Sequence, residues 1–106
     1  MASNAKEKLV GFLKQHAFDP VLKAKPSDYP ESKRGELEHV QQATRSEIER
    51  YEAYGSAREL VTNFKRDLHS EAAKKVHREL KALGLPTVND VRDRFEKLAS
   101  DLGVTS

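Results

Sequence analysis

No cysteine occurs in the 106 residues, which excludes disulfides, thiolate nucleophiles and Cys-based metal sites. Tryptophan is absent as well, and the aromatic residues are four Phe and three Tyr. A chain of this length buries only about two-thirds of its unfolded surface, so with few large rings its core must be modest. The five glycines stand at 11, 35, 55, 84 and 103, too scattered for a loop that cradles phosphate. No apolar run approaches the roughly 20 residues that span a bilayer. The opening MASNAKEKLVGFLKQHAF lacks the uninterrupted apolar stretch of a signal peptide, so cytosol is the expected compartment. Net charge is only +2, from 19 basic and 17 acidic residues, which by itself points to neither nucleic acid nor an anionic membrane.

What is present is helical patterning. Charged residues make up 34% and hydrophobic ones 37%, a balance that suits a single globular domain over 1–106. A first helix is predicted over 3–17, with Ser3 as its cap and Ala5, Leu9, Phe12, Leu13 and His16 on one side. Residues 18–31 hold three of the four prolines and read as a connector, with one helical turn after Asp19-Pro20. A second helix spans about 31–54, its stripe formed by Leu37, Val40, Thr44, Ile48 and Tyr51. Gly55 is expected to end it in the left-handed conformation, and Ser56 with Glu59 forms a capping box for the next. Helices two and three are therefore expected to lie antiparallel.

The third helix, about 57–83, carries two apolar faces. Ala57, Leu60, Val61, Phe64 and Leu68 share one; Ala72, Val76, Leu80 and Leu83 share another, rotated by about 100°. One straight helix cannot aim both at a single neighbour, so a bend or break is expected at 68–71. Gly84 and Pro86 end this segment, Thr87 with Asp90 forms a second capping box, and a fourth helix follows with Val88, Val91, Phe95, Leu98 and Leu102 inward. Residues 103–106 read as a tail. The expected fold is all-α: a small bundle of four helices, or five if the third breaks, built on an antiparallel helical hairpin. Helices one and four are expected to cover the two faces of helix three.

Chemistry is harder to find. His16, His39, His69 and His77 form no H-x-x-x-H pair, and the single E-x-x-H at Glu36 and His39 lacks the second copy that a bundle metal site needs. No catalytic motif is present, so the chain is not expected to be an enzyme, nor to hold a metal or cofactor, and no small-molecule ligand is evident. Charge, however, is uneven. Residues 36–64 carry three basic and six acidic side chains, whereas 65–97 carry nine and six. Lys74, Arg78 and Lys81 fall on one side of helix three, a stripe able to meet phosphates or an acidic protein surface.

The stretch GLPTVNDVR, residues 84–92, resembles the G-x-P-T-V-x-x-V-R segment in the N-terminal DNA-binding domains of some plasmid-encoded helical proteins. That resemblance implies a helix-turn-helix with Arg92 and Arg94 near phosphate. It covers nine residues, and helix four then runs on through FEKLASDLG where those domains have a Gly-Ser-rich turn. The outward side of helix four, with Asn89, Asp93, Glu96, Lys97 and Ser100, is also poorly suited to a polyanion. The expected function is a non-catalytic interaction or assembly domain that binds a protein, itself included. The alternative is a nucleic-acid-binding accessory protein. Tyr54, at the hairpin tip, is a candidate exposed contact, or packs on helix three instead.

Overall fold

The computed structural model describes residues 4–104, and among these all regular structure is helical, with no strand. The expected cap at Ser3 and the tail end at Thr105 and Ser106 lie outside the described residues. None of the described helices is long and apolar enough to cross a membrane. The molecule is elongated, 45 × 26 × 21 Å.

The chain opens with one unbroken helical run, α1 (Asn4–Leu13), a π-helical turn (Lys14–Phe18) and α2 (Asp19–Lys23). The connector expected over 18–31 therefore begins only after Lys23. Pro20 explains the π turn: its ring would collide with the carbonyl of the preceding turn in a regular helix. The wider turn, closed by the Asp19 N–H donating to the Lys14 carbonyl, removes that collision. Its extra residue also rotates the apolar stripe. Leu9, Leu13 and Phe18 serve one region of the core and Val21 another.

A short 3₁₀ turn (Pro26–Asp28) leads to α3 (Glu31–Ala53). The Gln41 side chain donates to the carbonyls of Val21 (3.0 Å) and Ala24 (2.9 Å), which fastens the end of α2 to α3. Helix α3 ends on Tyr54 in extended conformation (φ −62°, ψ 142°). Gly55 does not take the left-handed conformation expected of it; positive φ among the described residues occurs only at Gly84 and Gly103. The Ser56 hydroxyl accepts from the Glu59 N–H (3.1 Å), and the Glu59 carboxylate returns to the N–H of Gly55 (3.3 Å). Both arms of the capping box are thus made, the second shifted by one residue.

The third predicted helix is broken where its two faces diverge, into α4 (Ala57–Asp67) and α5 (Glu71–Ala82). Ser70 caps the second half, accepting from the Ala73 N–H at 3.1 Å. Together they run antiparallel to α3, since Arg50 meets Asp67 and His39 meets Glu79. Helix α5 closes in a Schellman turn: the Leu85 N–H donates to the Leu80 carbonyl (2.9 Å) and the Gly84 N–H to that of Lys81 (3.0 Å), with Gly84 at φ 73°. The Thr87–Asp90 capping box is present in both directions (3.0 and 3.2 Å). A 3₁₀ turn (Val88–Val91) and α6 (Arg92–Asp101) follow. The expected tail is folded at its start, because the Val104 N–H donates to the Ala99 carbonyl (2.9 Å) and its side chain packs on the core.

Two separate clusters make the core. The first gathers Leu9, Leu13, Phe18, Tyr51, Leu60, Phe64, Leu68 and Phe95 from α1, the π turn, α3, α4 and α6. Phe64 and Phe95 pack ring on ring at 4.1 Å. The second joins Val21, Leu37, Val40, Leu80 and Leu83. The two faces of the 57–83 segment thus have different partners, but not those expected. Helix α6 joins α1 over the first face, whereas α3 and the end of α2 cover the second.

Candidate functional site

Lys74, Arg78 and Lys81 are all exposed on α5, with Lys75 between them. Lys74 lies 3.7 Å from Glu71; Lys75, Arg78 and Lys81 make no ion pair among the described residues. Tertiary contacts sharpen this face by withdrawing acidic groups from it. Asp67 contacts Arg50 at 2.6 Å and Glu79 lies 3.5 Å from His39, both partners being on α3. Of the other two acidic residues on α4 and α5, Glu59 bonds to its own helix start and Glu71 pairs with Lys74.

Arg92 and Arg94 each have a neighbour near their own helix or on α1. Arg92 sits 3.8 Å from Asp93, and the Arg94 guanidinium lies 5.8 Å from the centroid of the Phe12 ring on α1. Tyr54 is half-buried, its ring 5.7 Å from that of Tyr51, so it belongs to the margin of the first cluster. His39 faces Glu79 rather than forming a site with Glu36. Among the described residues no three His, Asp or Glu gather as metal ligands would.

A second feature has no counterpart in the sequence reading. Between the two core clusters lies an open cleft of about 190 Å³, at the level of the α4–α5 break. Its walls are mostly apolar: Ala17, Phe18 and Val21 from the π turn and α2, Ala43 from α3, Leu68 at the break, and Ala72, Ala73, Val76 and Leu80 from α5. Small side chains on α3 and α5 face each other here, so the two arms of the hairpin leave a gap that larger residues would fill. A sealed, dry void of that size costs on the order of 4–5 kcal/mol relative to a filled core. Being open, this one costs less, but it still divides the core.

Polar groups gather along its lining. Arg50 is held between Glu47 (2.5 Å) and Asp67 (2.6 Å). Its partial burial opposes the charge, but the hydrogen bond to Glu47 and the two carboxylates outweigh that and raise its pKa further. Tyr51 is 1% exposed. Burial pushes that phenol above its usual range, and the charge of Glu47 adds to the rise while Arg50 opposes it. The buried Oδ2 of Asp67 is an ion-pair partner of Arg50, yet the approach is too oblique to count as a hydrogen bond. His77 also lines the cleft. Burial lowers its pKa, with a smaller upward pull from Asp90, so the imidazole is neutral at pH 7.

The signal that could have exposed this site is the juxtaposition of Ala43-Thr44 with Ala72-Ala73, which becomes visible only once the register of the hairpin is known. Comparison with protein-family models, with curated proteins and with solved structures found no match. The nine-residue likeness at 84–92 therefore stands alone.

Proposed function

We propose that this is a non-catalytic interaction domain that meets an acidic protein surface through the outward face of α5. The observation that carries the reading is the contact of Asp67 and Glu79 with Arg50 and His39 of α3, beside which Lys74, Lys75, Arg78 and Lys81 remain at the surface of α5. Opposite charge in register fixes orientation and speeds encounter. A protein partner is favoured over a duplex for two reasons. The cations lie on one helix of 12 residues, about 18 Å long, and the Arg94 guanidinium of α6 lies over the Phe12 ring of α1. With a net charge of +2, the whole molecule also offers little long-range attraction to a polyanion.

Fluorescence anisotropy with a short Glu-rich helical peptide and with a random-sequence DNA duplex, at low and physiological salt, tests the reading. The peptide is expected to bind in a salt-sensitive manner, and a Lys74→Ala, Arg78→Ala, Lys81→Ala variant to lose it. Tighter binding of the duplex would move the function to nucleic acid. Silence from both probes at low salt would refute the role of this face.

A further inference from the structure

We propose that the cleft between the two core clusters binds a compact aromatic molecule bearing a hydrogen-bond donor, of the size and polarity of a phenol or an indole. The site is independent of the cationic face. At about 100° per residue, Val76 and Leu80 point to the opposite side of α5 from Lys74 and Arg78.

Size sets the first limit. An apolar cavity of about 150 Å³ accommodates benzene, and this one, at about 190 Å³, has room for a ring plus a few atoms more. The walls supply the apolar surface that such a ring needs, with Phe18 on one side and Val76 on another. A bound ring would restore the core layer that Ala43 and Ala73 leave out.

Chemistry sets the second limit. The Oδ2 of Asp67 is buried without a hydrogen bond, a state that a guest's donor would relieve, and the Tyr51 hydroxyl stands in the same lining. Glu47 and Asp67 stand against one guanidinium, so the lining carries more negative than positive charge. A carboxylate guest is repelled there. A phenolic O–H or indole N–H can instead donate to the carboxylate side, and a phenolic oxygen can also accept from Tyr51.

The test is titration of the full chain with indole, p-cresol, toluene and benzoate, followed by amide shifts in ¹H–¹⁵N spectra. Indole and p-cresol are expected to give saturable shifts clustered in 43–51 and 67–77. Toluene should bind more weakly, and benzoate not at all. Tyr51→Phe keeps the ring and removes the hydroxyl, and should weaken p-cresol by roughly tenfold, the value of one hydrogen bond. Ala73→Leu and, separately, Ala43→Leu fill the cleft and should abolish binding, with thermal melts showing that each remains folded. Three results would each overturn the proposal: no saturable shift with any probe, benzoate binding as well as indole, or both filled variants binding as the parent does.

Discussion

The separation of the core into two clusters predicts how mutations combine. Val40 is wholly buried in the second cluster, and Phe64 is wholly buried in the first against Phe95. Val40→Ala deletes two methyl groups, about 0.8 kcal/mol each before any cavity term, so a loss of about 2 kcal/mol is expected. Phe64→Leu keeps an aliphatic side chain but gives up a ring pair worth about 0.5–1.5 kcal/mol together with some buried area, again about 2 kcal/mol. A domain of this size has roughly 5–15 kcal/mol in all, so even the double variant should retain a measurable transition. Urea unfolding of the parent, both single variants and the double variant closes the cycle. Side chains on opposite sides of the cleft share no packing, and their effects should add to within about 0.5 kcal/mol. Hydrogen exchange gives a second view: Val40→Ala should speed the amides of α5 and leave those of α6 close to parent. A coupling above about 1 kcal/mol, or equal acceleration in both helices, would mean that the clusters act as one core and that the cleft does not divide it.

Gly84 sits at φ 73°, so Gly84→Ala should cost about 1–2 kcal/mol. Gly55→Ala, where no positive φ is required and nothing crowds an added Cβ, should be neutral or slightly stabilising; thermal melts of the pair separate the two cases. Thr87→Ala removes the acceptor for the Asp90 N–H and should cost about 1 kcal/mol, read from the shift in urea midpoint. The lowered pKa of His77 means that the unfolded chain takes up its proton first as pH falls below about 6.5. Stability should therefore decline through that window toward the folded-state value, and be unaffected by this group above it. His77→Gln should flatten that part of the stability profile. The triple replacement of Lys74, Arg78 and Lys81 by Ala should change stability little, since all three are exposed.

Signals confined to a few neighbouring residues were legible in the sequence. Thr87 with Asp90, and Gly84 before Leu85, are local contracts between a side chain or a glycine and a helix end, satisfied within six residues. The break near Leu68–Ser70 was also readable, because two apolar faces rotated by about 100° cannot share one partner on a straight helix. Even the antiparallel hairpin followed from a helix end and a cap set close together. The π turn before Pro20 was missed, since a proline there reads equally well as the first residue of a new helix. Gly55 was assigned a left-handed turn that the extended backbone of Tyr54 makes unnecessary.

What tertiary structure alone decided is what faces what. The α1 and α6 helices both pack on α4, although their apolar stripes suited either face of the broken helix. Asp67 and Glu79 look like ordinary surface acids in the sequence; contacts with Arg50 and His39 are what set them apart from the cations of α5. The cleft exists because Ala43 and Ala73, 30 positions apart in the chain, come to face one another across the hairpin. Periodicity and capping act over a few bonds and are written in the order of residues. A gap between helices depends on which side chains are brought into register, and only the packed chain fixes that.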